Sequence, residues 1–434
     1  MAFTYNIATT KKDKTSSLCL TATHAVHKIT ELFISTFLVA HIYSLSGSNI
    51  MQYVFNVGVY YFVTYLTMSV VCWALIYWIE RTNRVWFFRA SLVLLMSLVI
   101  LYIFKGQDIA KILPLAGFLY GLGSGLYYSS YNSLKQEMVS RNSMKKYILA
   151  TTVINNSISI VVPIIMGTLI DASTFSQVAI YVCVISIIQI GVSFGIRAQR
   201  PQGSNFSFIG YRVALKQNPQ VYKKMKLLYV AFLFYGITSI TGVLAKVCIM
   251  IHMGTSFSLG AVTSVLSVVT IIGTLAFARF SQPGKRSYIF ILGMVVAVAG
   301  VLVFALVPNK ITTIAFYAST TIAGIINDYT IDRNRNSTLK EAGLYDQISE
   351  HQTAVELILG LSRIVTFGLL ILLASFGTLN IFTIALVIFA LISNPVVLLL
   401  MMIYDKKYAI IKDNSGEQDE QTNSSVLQQP GIQK

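Results

Sequence analysis

The chain has 434 residues, 55% of them hydrophobic and 12% charged, with a mean hydropathy of +0.67. About a quarter of the residues in a soluble domain are charged, so a soluble enzyme is excluded and most of the length must lie in lipid. The formal net charge of +16 does not imply a nucleic-acid partner, because the basic residues form short clusters between apolar stretches and not one stripe or face.

A bilayer core of about 30 Å takes about 20 apolar residues per helix, and on that rule the sequence predicts an all-α polytopic membrane protein of twelve transmembrane helices. In chain order the spans are 22–46, 50–79, 87–105, 110–134, 146–170 and 176–197, then 226–252, 257–279, 287–307, 311–331, 353–377 and 379–403. Spans 1, 10 and 11 are the most polar; spans 3, 8, 9 and 12 are the most lipid-like. Residues 1–21 form a polar, cytoplasmic N-terminal tail with Lys11, Lys12 and Lys14, and no short apolar core with a small-residue cleavage site precedes span 1. Residues 198–225, with RPQGSN and the amphipathic piece FIGYRVALKQN, are expected as a cytoplasmic loop joining two six-helix bundles, 22–197 and 226–404. Residues 405–434, rich in Gln, Asn and acidic side chains, are expected as a disordered cytoplasmic tail. Cys19, Cys72, Cys183 and Cys248 are scattered, with no pairing or metal spacing.

Charge sets the expected orientation. Of 33 Lys and Arg residues, 27 fall in alternate gaps between spans and in the tails, with seven of them in the long 6–7 loop. The other gaps hold only Lys105, Lys111 and Lys310. Basic loops resist translocation, so both termini are expected in the cytoplasm, which requires an even number of spans. Trp73, Trp78 and Trp86 flank the 2–3 loop, where an interfacial aromatic belt belongs.

The halves resemble one another at offsets near 200 residues. ERTNR (Glu80–Arg84) is echoed by SQPGKR (Ser281–Arg286), Gly125 by Gly324, Asn156 by Glu356, and VAHIY by LAKVC. Together these support a tandem six-span duplication about an axis along the membrane normal. Twelve spans, the basic joint and the paired basic 2–3 and 8–9 loops resemble the major facilitator superfamily over residues 20 to 404. That family's loop signature, Gly-x-x-x-Asp-Arg-x-Gly-Arg, is matched by Glu80, Arg81, Asn83 and Arg84, with Ile76 in place of the leading glycine. In the second half Gly284, Lys285 and Arg286 match, and Ser281 stands at the acidic position. The resemblance implies a charge-relay gate between the halves at these loops. It also implies pseudo-symmetric bundles and a cavity lined by spans 1, 4, 7 and 10. VVPIIMG (Val161–Gly167) is similar to the family's antiporter pattern at Pro163 and Gly167, though Val162 and Met166 stand where glycines are expected; a helix kink at Pro163 is the structural alternative.

Six ionisable residues lie inside predicted spans: Lys28, Glu31, Lys246, Asp328, Glu356 and Arg363. At mid-helix each costs about 2.5–3.5 kcal/mol on insertion scales, so they must face protein or water, and some must pair. Lys28 and Glu31 share a helix face at i,i+3 spacing, as a structural pair or with Lys28 snorkelling. Glu356 and Arg363, two turns apart, are expected to meet partners on other helices. Glu31, Glu356 and Asp328 are the proton-coupling candidates, with a cytoplasmic helix end as the alternative for Asp328 and snorkelling as the alternative for Lys246. Lys28, Lys246, Arg363, Asn156, Asn327 and Tyr128 are the candidates for the substrate cavity. His24, His27 and His41 can titrate near neutrality, or serve as polar core residues. Gly117, Gly121 and Gly125 form overlapping GxxxG patterns, which allow close helix packing or a sliding surface.

No Walker lysine loop, GxSxG or HExxH is present, so neither an enzyme nor a cofactor is expected. The expected function is secondary transport of a small polar or amphiphilic solute by alternating access, coupled to protons and directed to export. A flippase for a lipid or lipid-linked precursor is the alternative, and a non-transporting receptor or assembly factor a third. The expected partners are the solute, the coupling ion and the lipid of a bacterial plasma membrane, with the chain monomeric.

Overall fold

The computed structural model describes residues 11–47, 49–139, 141–197, 206–280, 286–344 and 347–408, with side chains for all but 11–14, 136, 141–146, 148–149, 278 and 280. Every regular element among them is helical. α1 (Lys11–Leu32) continues through a π-helical stretch (Phe33–Phe37) into α2 (Leu38–Ser46), which together make the first span. Gly47 ends it at φ +58°, a conformation glycine adopts without steric cost. α3 (Ile50–Arg81), α4 (Arg84–Lys105), α5 (Leu113–Met138), α6 (Arg141–Ala172) and α7 (Phe175–Ser193) complete the first half.

A short helix, α8 (Phe208–Gln217), leads into the second half. There α9 (Pro219–Met253), α10 (Ser256–Phe280), α11 (Arg286–Leu306), α12 (Lys310–Glu341) and α13 (Ile348–Phe376) follow, and α14 (Leu379–Ile392) with α15 (Asn394–Tyr408) forms the last span. Asn49, Asn83, Thr174, Ser207, Asn218 and Asn309 start helices by accepting from backbone N–H groups of the first turn. These polar caps, set between apolar runs, are why the chain turns where it does.

Eleven helical stretches among the described residues are long and apolar enough to cross a bilayer. The expected tenth span, 311–331, is present as α12, but this 32-residue helix is too polar to be counted with them. Its polar side meets other helices. Asn327 is fully buried and donates to Asn394 Oδ1 (2.9 Å), and Thr313 meets His252 Nδ1 (3.1 Å). Other limits also move: α12 runs past 331 to Glu341, α13 begins before 353, and α15 runs past 404 to Tyr408. Helix hydrogen bonds close within the segment, so a helix does not stop where its apolar stretch does. Residues 1–10, 198–205 and 409–434, in the expected tails and loop, lie outside the described residues.

Within the first half α3 packs on α5, α4 on α5 and α7, and α1 on α7; within the second, α9 packs on α12 and α13, and α11 on α12 and α15. The halves meet where α3 lies on α13, α6 on α10 and α2 on α9. Helices in lipid associate through close packing and polar contacts, not through loss of water from apolar surface, and the small residues stand at the crossings. A Cβ on Gly121 would lie 2.4 Å from Thr64 O, and one on Gly260 of α10 2.2 Å from Pro163 O of α6. The end of the molecule with the α3–α4 turn and α8 is called the basic end below; the opposite end is the far end.

Candidate functional site

Polar and charged groups gather midway along the halves. On α1, Lys28 Nζ lies 3.0 Å from Glu31 Oε2, and the Tyr128 hydroxyl of α5 donates to Glu31 Oε1 at 3.0 Å. The expected i,i+3 pair is therefore made, with a tyrosine from another helix as its third member. One turn closer to the basic end, His24 is held between the Tyr127 hydroxyl (2.9 Å) and the Asn155 carboxamide (3.1 Å). His27, buried, stacks on Tyr127 at 3.5 Å, and neither of its ring nitrogens has a hydrogen-bond partner among the described residues. His41 lies toward the far end, with Nε2 2.6 Å from Gly106 O. Asn156 is half-buried beside Asn155.

The π-helical stretch creates the next feature. A wider helical turn leaves carbonyls without their usual intrahelical partners. Ser35 O accepts the Tyr61 hydroxyl at 2.7 Å and Lys246 Nζ of α9 at 3.3 Å, and Lys246 also donates to Thr36 Oγ1 at 3.1 Å. Lys246, a lone charge in its own span, is thus bound to the other half of the molecule. Arg363 of α13 also reaches across. Its Nε donates to Ser239 Oγ (3.0 Å), its guanidinium lies 4.8 Å from the Tyr65 ring centre of α3, and Nη1 is 3.9 Å from Glu356 Oε2. The two-turn spacing from Glu356 is spanned loosely, and the helix-to-helix partners expected for Arg363 are present.

In the second half α9, α10, α12 and α15 border an open-sided cavity of about 250 Å³. Thr238, Thr241, Thr270, Tyr317, Thr320 and Thr321 line it, and the five threonine hydroxyls donate to carbonyls of their own helices, which leaves their oxygens as acceptors. Gly242 and Gly324 leave room there, since a Cβ on either would meet nothing within 4 Å. The one ionisable carboxyl on this wall is Asp328, which accepts the hydroxyl of Tyr235 and has no cation within salt-bridge distance among the described residues. The adjacent Asn327 turns into the helix interface, as described above. Composition did not reveal the hydroxyl ring; the signal for it was the polarity of span 10, whose threonines recur at helical spacing.

At the basic end Arg84 donates to Glu80 Oε2 (2.6 Å) and Glu137 Oε2 (3.1 Å), and Ser133 donates to Glu80 Oε1 (2.5 Å). These bonds join α3, α4 and α5. Asn83 caps α4 through Val85 N (3.1 Å), and Arg81 turns outward, its guanidinium 3.9 Å from the Tyr77 ring centre. Gly284 and Lys285 lie outside the described residues. Arg286 is 3.9 Å from Asp405 Oδ2, and Arg333 donates to both Asp405 oxygens at 3.0 Å. Each half therefore has an Arg–carboxylate cluster at this end, built from different helices of the repeat.

At the far end the halves close on one another. Asp171 at the end of α6 accepts from Ser256 N (3.0 Å) and Phe257 N (2.8 Å), which places a carboxylate on the N-terminus of α10. Gly167, one turn earlier, sits against the same turn: a Cβ there would lie 2.6 Å from Ser256 O. Pro163 and Gly167 thus lie at the α6–α10 crossing, a packing position the sequence pattern left open.

A family model described as Major Facilitator Superfamily matches residues 18–331. No curated protein matches the chain in sequence. Among solved structures, a POT family transporter in complex with thioalcohol conjugated peptide superposes with a TM-score of 0.67 at 12% identity, covering 90% of this chain and 96% of that one. A bacterial homologue of the iron transporter ferroportin in its inward-facing state gives 0.66 at 12% identity, over 89% and 98% of the two chains. The nucleoside transporter NupG gives 0.63 at 11%, over 89% and 99%. At these identities the likeness establishes a shared fold.

Proposed function

The chain belongs to the Major Facilitator Superfamily, and on that premise we propose that this membrane transporter carries a small solute bearing a cationic or hydroxyl-rich group, by alternating access driven by protons. The observation that carries the reading is the pairing of Asp328 and Tyr235 on the wall of the hydroxyl-lined cavity. A carboxylate at membrane depth is costly unless a proton, a cation or a set of donors compensates it. The only hydrogen bond to Asp328 among the described residues comes from a tyrosine hydroxyl, which leaves room for an ammonium group or a proton. The threonine oxygens, whose own protons go to helix carbonyls, would orient a solute by accepting from its donor groups.

Glu31 and Glu356 are the carboxylates assigned to proton coupling, each next to a basic side chain on its own helix and each close to the boundary between halves. The far-end contact of Asp171 on α10 and the mid-depth contact of Lys246 on the π-helical stretch are those that must break for the solute to reach the other side. Export is the direction favoured by the antiporter-like Pro163 and Gly167. A flippase would call for basic side chains along the cavity at head-group level, and the charged residue on this wall is acidic.

The test is reconstitution into proteoliposomes with an imposed pH gradient and a panel of radiolabelled amines, polyols, nucleosides and organic anions. Gradient-dependent movement of at least one cationic or polyhydroxylated member, lost in Asp328→Asn, is the expected result. Movement of anionic solutes alone, or transport that persists in Asp328→Asn, overturns the reading.

A further inference from the structure

A second, smaller space lies between the halves, where α3 and α5 face α13. It measures about 30 Å³, and its wall includes Tyr128, Ser129, Asn132 and Ser133 from α5 and Gln352 and Glu356 from α13. A cavity needs about 10–15 Å³ of this kind of volume, and two to four polar partners, to hold one water. The slot therefore has room for about two waters and more than enough hydroxyl and amide groups to bind them. What it connects matters more than its size. Glu356 stands on one wall, and on the other the Tyr128 hydroxyl donates to Glu31 at 3.0 Å. The two carboxylates belong to opposite halves of the molecule.

We infer that water in this slot joins Glu356 to Tyr128 and makes Tyr128 the relay through which one proton passes between Glu356 and Glu31. The inference rests on the proton-coupled reading above and assigns its path. In the step, the acid form of Glu356 gives its proton to the adjacent water, and the water chain passes a proton to the Tyr128 oxygen. Tyr128 releases its own hydroxyl proton to the Glu31 carboxylate. Glu356 ends ionised, Glu31 ends protonated, and Tyr128 and the waters are unchanged; the reverse transfer follows the same path. Glu31 faces Lys28 and Tyr128, with His27, His24 and Lys246 also within electrostatic reach, and Glu356 faces Arg363, with Arg335 farther off, so a proton moved in this direction leaves Lys28 without its ion partner while Glu356 regains the attraction of Arg363. Because the slot has one wall in each half, rocking of the halves breaks the chain of waters. Proton transfer is thereby confined to conformations in which α5 and α13 are apposed, and this is the link between proton and shape that coupled transport requires.

The test needs no knowledge of the solute. The full chain in lipid nanodiscs is subjected to a pH jump, and the carboxyl stretching bands are followed by time-resolved infrared spectroscopy, assigned with Glu31→Gln and Glu356→Gln. In the unmodified protein the two carboxyls are expected to exchange protons at one common rate. Tyr128→Phe removes the relay hydroxyl, and Asn132→Leu puts an apolar side chain in the slot without touching Glu31. Each is expected to split the kinetics and delay one carboxyl by about 100-fold, the scale of a lost proton-transfer group. Ser129→Val repeats the slot-filling experiment at another position if Asn132→Leu does not fold. If Tyr128→Phe splits the rates and both slot-filling variants leave them joined, Tyr128 acts only through its direct bond to Glu31 and the water path is overturned. Common rates in every variant overturn it as well. If neither carboxyl changes protonation in the unmodified protein, the proton-coupled reading falls, and the relay with it.

Discussion

In the first half of the molecule the intramembrane acid Glu31 lies 3.0 Å from Lys28 and accepts the Tyr128 hydroxyl. In the second half Asp328 opens onto a hydroxyl-lined cavity with the Tyr235 hydroxyl as its hydrogen-bond donor. The basic-end clusters diverge as well. In the first half Glu80, Arg84 and Glu137 join α3, α4 and α5, whereas in the second Arg286, Arg333 and Asp405 join α11, α12 and α15. The helix plan is duplicated and the chemistry is not. An internally paired charge adds structure at little functional cost, and an uncompensated one creates a binding requirement. On the proposed reading, solute recognition falls to the second half through Asp328, and proton handling is shared between Glu31 of the first half and Glu356 of the second.

The sharpest way to break that assignment is Asp328→Asn, which removes a charged hydrogen-bond acceptor worth about 2–3 kcal/mol to a bound cation and should lower apparent affinity about 100-fold in radioligand binding. If Glu31→Gln weakened binding as much and Asp328→Asn did not, the roles of the halves would be reversed. Gly260→Val tests the crossing between halves. It forces a side chain against Pro163 O and should cost about 1–3 kcal/mol, read as a lower melting midpoint of the purified protein. Gly324→Ala, placed in open space at the cavity, should leave that midpoint in place.

Asp171→Ala removes the cap that one half places on the other, worth about 1 kcal/mol. That energy corresponds to about a fivefold increase in conformers open at the far end, visible as a longer distance between spin labels at Ser44 and Lys310. The smallest effect is expected for Lys28→Met. This pair is a quarter exposed at its two side chains, 28% and 23%, so its loss should cost about 0.5–1 kcal/mol in denaturation. A cost several times larger would mean that Glu31 depends on Lys28 far more than a partly solvated pair allows.

Short-range features of the site were legible from spacing. The i,i+3 pair of Lys28 and Glu31 follows from helix geometry once a helix is assigned. So does close packing of α5 on α3 at Gly117 and Gly121, where an added Cβ would lie 2.6 Å and 2.4 Å from backbone oxygens. Long-range partners were not legible. Lys246 meets Ser35 and Thr36 across 211 and 210 positions of sequence, and Tyr235 meets Asp328 across 93. No periodicity within one helix encodes which face of a distant helix will lie opposite. The π-helical stretch at Phe33–Phe37 was equally hidden, since its residues read as ordinary apolar helix.

By itself the sequence determined the membrane setting, the all-helical architecture, the six-plus-six plan and the set of costly charges, because the price of putting polar groups in lipid is written residue by residue. It also determined that α12 would be unusual, through the density of its threonines and asparagines. Tertiary structure alone decided which charges are compensated, where the cavity lies and that the halves close at the far end through Asp171. Those outcomes depend on rotation and depth of whole helices against one another, and packing of side chains from distant segments sets both.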